Sequence, residues 1–151
     1  QAASNSKAPA VVGRPSNAKK ASRITPKSLT GWPLTGSLIA GYGNAMPDGR
    51  SSEGLLIAAP AGAPVYAVAA GRVVYADWLK GYGMLMVIDH GRGYMSLYAN
   101  NDALVKEVGD SVAAGERIST VGSSGGQGRT ALYFEMRLNG QPQNPNGWLR
   151  P

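Results

Sequence analysis

Turn residues interrupt this chain so often that no long element fits between them. Gly41 to Ser51 is rich in glycine and other turn formers, Ala61-Gly62-Ala63-Pro64 reads as a tight turn, and Gly91 to Gly93 brackets a hairpin. Ala-Gly pairs recur at 70–71 and 114–115, and a glycine-rich run occupies 122–128. The apolar and β-branched segments between them are short and recur at about the 8–12-residue spacing of an antiparallel all-β domain. Strands are expected at Leu55–Ala59, Val65–Ala69, from Gly71 to Ala76, Met84–Asp89, Tyr94–Tyr98, Arg117–Val121 and Leu132–Leu138. Val105 to Val112 reads as a small loop. No apolar stripe at helical spacing runs long enough to compete.

Charge divides the chain in two. Residues 1–30 carry Lys7, Arg14, Lys19, Lys20, Arg23 and Lys27 and no acid, so the formal net charge of +6 resides there. That segment is rich in Ser, Ala and Pro and poor in large apolar residues. It cannot bury enough surface to offset the entropy of ordering, which predicts a flexible basic linker at 1–30 followed by one domain at 31–151. It lacks the aromatic interleaving of a nucleic-acid surface, so no nucleic-acid partner is expected. No apolar run approaches the ~18 residues of a transmembrane helix. The chain does not begin with Met and shows no signal-peptide pattern, as expected of a processed protein or an excised fragment.

Metal chemistry is poorly supplied. Catalytic zinc takes three protein ligands from His, Cys and carboxylates and keeps one position open. There is no Cys and a single histidine, His90. It lies where Val87-Ile88-Asp89 runs into a glycine turn, a place that suits a structural or solvated histidine. Asp77 and Glu135 fall on different strands and give no basis for an acid/base pair. The run at 122–128 lacks the Lys-Ser/Thr ending of a phosphate-binding loop, so nucleotide binding is not expected.

Several strings carry a family resemblance. Trp32-Pro33-Leu34 opens the domain, Ser52-Glu53-Gly54-Leu55-Leu56 precedes an apolar pair and Pro60, Leu97-Tyr98-Ala99-Asn100 follows, and Ala131-Leu132-Tyr133-Phe134-Glu135 comes last. In this order they resemble the LytM (lysostaphin-type) zinc endopeptidase domain, over roughly residues 31 to 151. Active members read H-x-G-x-D at the first motif and H-x-H-F-E at the last. The resemblance implies a compact antiparallel β-sandwich or barrel. It places the three zinc-ligand positions at Ser52, Leu56 and Tyr133, and the two catalytic histidine positions at Asn100 and Ala131. No cofactor and no peptidase activity are therefore expected. Asp77-Trp78-Leu79-Lys80-Gly81-Tyr82-Gly83, Met95-Ser96-Leu97-Tyr98, Gly122 to Arg129, and Asn144-Pro145 with Trp148-Leu149 narrow the resemblance to the EnvC-like murein hydrolase activators.

That branch implies a partner. Its members switch on periplasmic zinc amidases, the N-acetylmuramoyl-L-alanine amidases that split septal peptidoglycan and separate daughter cells. Such an amidase is held off by a regulatory helix, and a groove emptied of metal is expected to bind that helix. The candidate groove residues are Ser52, Glu53, Leu56, Tyr82, Leu85, Tyr98, Asn100, Ala131, Tyr133 and Arg137. Leu56, Ala131 and Tyr133 in place of charged ligands predict an apolar floor, which favours an amphipathic helix. The three tryptophans read as packing residues. The resemblance also implies contact with FtsEX through an upstream coiled coil, of which this chain carries no heptads. The alternatives are an NlpD-like amidase activator and a non-catalytic peptidoglycan-binding module.

Overall fold

The computed structural model describes residues 32–145 apart from 35, 48, 50 and 126–128. The expected linker at 1–30 and the closing Trp148 and Leu149 lie outside the described residues. Ten strands are seen: β1 Ser37–Ala40, β2 Leu55–Ala58, β3 Pro64–Tyr66, β4 Gly71–Leu79, β5 Gly83–Gly91, β6 Tyr94–Leu104, β7 Ser111–Val112, β8 Arg117–Val121, β9 Ala131–Leu138 and β10 Gln141–Gln143. Every pairing is antiparallel. The main order is β1-β2-β9-β6-β5-β4-β7, β10 adds to β9, and β8 joins β3 to β6.

Period-2 alternation divides the residues between two faces. On β9, Leu132, Phe134 and Met136 point into the main core. Ala131 and Tyr133 belong to satellite clusters on the opposite face. Leu55 and Ile57 of β2, Met86 and Ile88 of β5 and Tyr98 of β6 meet the same core as Val65, Val73, Val112 and Ile118. Strands far apart in the pairing order thus share one interior, so the sheet wraps onto itself as the antiparallel sandwich or barrel that was expected. Burying each large apolar side chain contributes roughly 1.5–3 kcal/mol, and Leu55, Leu132 and Phe134 are fully buried.

Strand β6 forks. From Tyr94 to Ala99 it pairs with β9, and from Asn101 to Leu104 it pairs with β8. Asn100 marks the change, with φ of 68°. Its N–H donates to Tyr82 O at 2.9 Å, and its carbonyl accepts from Gly122 N–H at 3.0 Å. Asparagine tolerates this left-handed conformation better than most residues.

His90 lies at the end of β5 and is fully buried. Its Nδ1 is 2.8 Å from Ala70 O, and its Nε2 is 2.7 Å from Ser96 Oγ. A carbonyl only accepts, so Nδ1 carries the proton. Burial lowers the histidine pKa, against the opposing pull of the Ala70 carbonyl and Asp89. Neutral Nε2 is then an acceptor for Ser96. Tyr98 Oη lies 2.8 Å from Ser96 Oγ and accepts from Val68 N–H at 3.1 Å. The histidine serves the core.

Several boundaries differ from expectation, most by a residue or two and some by more. The strand expected at Val65–Ala69 ends at Tyr66, because Ala67 N–H donates to Glu116 O and Ala67 O accepts from Gly115 N–H. Strands β4 and β6 run on to Leu79 and Leu104. The expected loop after Val105 ends in the two-residue β7. Strands β1 and β10 are additions at sheet edges.

Candidate functional site

A cleft of about 170 Å³ opens beside the fork of β6. It is lined by Met46, Ser51, Ser52, Glu53, Gly81, Tyr82, Ala99, Asn100, Tyr133 and Glu135. Each element delivers its residues for a local reason. Before β2, Ser52 Oγ–H donates to Gly54 O at 2.7 Å, and Gly54 N–H donates back to Ser52 Oγ at 3.2 Å. This closed turn leaves Glu53 exposed at the rim. Gly54 has to be glycine there, because a Cβ would lie 2.0 Å from Phe134 O. The turn joining β4 to β5 supplies Gly81 and Tyr82. The 122–125 loop presses on it, since a Cβ on Gly83 would meet Ser124 C at 2.4 Å. Tyr82 and Tyr133 face each other with ring centroids 6.5 Å apart and planes tilted by 41°.

At the base, alternation along β9 sets Tyr133, Glu135 and Arg137 on one face. The Glu135 side chain is only 2% exposed. Tyr133 Oη–H donates to one carboxylate oxygen at 2.6 Å, and Arg137 Nε–H donates to the other at 2.7 Å. An Arg137 terminal N–H reaches Tyr82 Oη at 3.4 Å. Burial raises the Tyr133 pKa, and the bond to Glu135 raises it further, so the phenol stays protonated. For Arg137 burial acts downward, but the Glu135 bond and charge with Tyr82 outweigh it, and its pKa is raised.

The donor set does not fit zinc. The Ser52 hydroxyl is engaged in its own turn, Leu56 is a buried aliphatic chain, and the Tyr133 proton is held by Glu135. None of the three offers the imidazole, thiolate or carboxylate that zinc sites use.

The candidate residues separate into three groups. Ser52, Glu53, Tyr82, Asn100 and Tyr133 come together around the cleft, with Arg137 behind Glu135. Leu56 and Ala131 lie beneath it, packed with Ala40 and Met46, and Leu85 is buried with Leu97 and Ala99. Tyr98 is corrected: it is fully buried on the core face, with its ring 5.3 Å from Phe134. The floor is corrected too. Hydroxyl, amide and carboxylate groups line the opening, because Leu56 and Ala131 are buried with Ala40 and Met46 and only Tyr133 of the three replacements reaches the cleft. Trp32 packs on the core as expected, but Trp78 is 55% exposed at the end of β4. Met46, Ser51, Gly81, Ala99 and Glu135 complete the lining without having been foreseen. Period 2 from Tyr133 would have found Glu135; nothing in the local sequence marks Met46.

Residues 50–145 match the model of peptidase family M23. The chain is 47% identical over 124 residues to the murein hydrolase activator EnvC of Escherichia coli, covering 82% of this chain and 30% of that protein. It is 40% identical over 143 residues to the murein hydrolase activator NlpD of Salmonella dublin, covering 94% and 37%. Among solved structures, it is similar to the catalytic domain of the prophage-encoded M23 protein EnpA of Enterococcus faecalis, with 30% identity, a TM-score of 0.67, and 78% and 92% of the two chains covered. The antimicrobial peptidase lysostaphin of Staphylococcus simulans matches with 26% identity and a TM-score of 0.66, covering 76% and 50%. The chain spans about a third of the length of the two curated relatives.

Proposed function

The chain belongs to peptidase family M23, and from that premise we propose that it is a non-catalytic activator of murein hydrolases. Its partner is a periplasmic N-acetylmuramoyl-L-alanine amidase, a zinc enzyme closed by its own regulatory helix. The groove binds that helix in its displaced position and so raises the population of open enzyme. Such a shift requires the groove to favour the displaced over the resting helix, since equal affinity moves nothing. The role is exercised in the cell envelope, at septal peptidoglycan.

One observation carries this reading: Tyr133, at a position where the resemblance implies a zinc ligand, is instead locked by hydrogen bonds with Glu135 and Arg137, while the cleft above them stays open. The lock engages the Tyr133 hydroxyl and both Glu135 carboxylate oxygens. Tyr82, Tyr133 and Arg137 supply the residue types enriched at binding hot spots. The names of the relatives EnvC and NlpD agree with an activating role.

The test mixes the full chain with an amidase of its own organism and follows dye release from labelled sacculi. Stimulation is expected from the wild type and none from the chain alone. A folded Tyr133→Ala variant is expected to lose at least tenfold in affinity for the amidase, about 1.4 kcal/mol. Dye release by the chain alone, or undiminished stimulation by Tyr133→Ala, would refute the reading.

A further inference from the structure

We propose that the cleft is a subsite for one cationic side chain, carried by the partner segment that docks in the groove; the proposal rests on that docking reading. Size is the first argument. At about 170 Å³ the cleft falls below the ~300–1,000 Å³ of small-molecule sites, so it suits a single side chain.

Charge and hydrogen-bond polarity then choose the side chain. None of the described residues lining the cleft is Lys or Arg. Arg137 answers Glu135, which leaves Glu53 as the surplus carboxylate at the rim, with no ion pair among the described residues. Glu53 lies close enough to Tyr133 to raise the phenol's pKa, after burial and Glu135. The phenol's O–H is engaged in donating to Glu135, so on the cleft side its oxygen only accepts. Asn100 lines the same space at 3% exposure and makes no side-chain hydrogen bond among the described residues. It cannot swing out, because its backbone is fixed on both sides by Tyr82 and Gly122. A buried amide is rarely left unanswered; its carbonyl oxygen lies against Gly125, and rotating the amide would turn that oxygen toward a donor in the cleft. Around these acceptors stand the rings of Tyr82 and Tyr133, which add cation–π attraction. A guanidinium, donor-only and planar, meets all four features.

The probe is Nα-acetyl-arginine methylamide, titrated into the isotope-labelled full chain by NMR. Its citrulline counterpart has the same shape without the charge, and the glutamate analogue reverses it. The arginine probe is expected to shift the Asn100 side-chain amide and the Glu53 and Tyr133 backbone amides. Citrulline and glutamate are expected to leave them in place. Glu53→Gln, at an exposed position, should weaken the arginine probe about tenfold. Equal shifts from citrulline, or an unchanged affinity in Glu53→Gln, would overturn the subsite. In parallel, amidase binding is measured for wild type and Glu53→Lys. Loss in Glu53→Lys supports the subsite. Undiminished binding by Glu53→Lys overturns it while leaving helix docking intact. A wild-type chain that binds arginine but no amidase removes the docking reading instead.

Discussion

Glu135 would be costly to bury alone, since a desolvated carboxylate needs its charge answered. Tyr133 and Arg137 answer it from the same strand face, one residue to either side in the period-2 row. Arg137→Met is expected to lower unfolding free energy by about 1.5–3 kcal/mol, the range for hydrogen bonds to charged groups. The lower half of that range applies, because the arginine keeps 26% of its side chain exposed. The double change Glu135→Leu with Arg137→Met should recover most of the loss, since an apolar pair can replace an ion pair with little penalty. Urea denaturation of the three proteins measures this, and a double variant less stable than Arg137→Met would disprove the lock. Much of this face was legible in the sequence. Tyr133 and Arg137 stand four apart on a strand, so their shared side follows from the pleat. Tyr98 was not assignable in that way. It is the register partner of Phe134, and so it faces the core. That register is set by pairing between β6 and β9, which no local pattern reveals.

At the scale of elements, the apolar strands could be read and the edge strands could not. Strands β5, β8 and β9 carry the continuous or alternating apolar residues that a buried strand requires, and β8 was found at its full extent. Among the described residues strand β1 pairs only with β2, and β10 (Gln141-Pro142-Gln143) only with β9. An edge strand needs few apolar residues and even admits proline, so its sequence looks like a loop. Close backbone approaches were equally hidden. Gly54→Ala and Gly81→Ala separate two reasons for glycine. Gly81 has φ of 90° and open space around it, so alanine there costs only the left-handed strain, about 1–2 kcal/mol. At Gly54 the new Cβ would stand 2.0 Å from the backbone carbonyl of Phe134. The start of β2 must then part from β9, and the Ser52 turn moves with it. Gly54→Ala should therefore destabilise the fold by more than Gly81→Ala and speed hydrogen exchange at the β2–β9 amides. Equal midpoints in urea would mean that β2 yields without loss.

Without a cysteine the molecule has no disulfide to brace it, and among the described residues the wrapped core and the polar thread within hold it together. Val68 N–H, Tyr98, Ser96, His90 and Ala70 O form one hydrogen-bonded chain that ties β5 and β6 to the segment before β4. A second ring proton would reverse the Ser96–Nε2 bond and leave a buried positive charge, and it is this burial that disfavours the charged imidazole. The folded pKa is depressed by burial below the ordinary value near 6.5. Above about pH 6.5 both folded and unfolded chains hold a neutral imidazole, and the contribution to stability is complete. As pH falls below 6.5 the unfolded chain binds the proton first, so stability is lost progressively until the folded pKa is reached. The slope from this one group is at most about 1.4 kcal/mol per pH unit. Other carboxylates add their own acid loss, so the relevant quantity is the difference between wild type and His90→Gln, each unfolded in urea from about pH 5 to 8. The difference in stability should narrow as pH falls below 6.5 and stay constant above it; curves that run parallel throughout would exclude His90 as the source. The groove feels the same change. Strands β5, β6 and β9 present the core on one face and the cleft's walls on the other, so a core loosened by acid cannot hold Tyr133 and Asn100 in place. If the proposed function holds, amidase stimulation should decline with the fold in acid, and in His90→Gln its extra dependence below pH 6.5 should vanish.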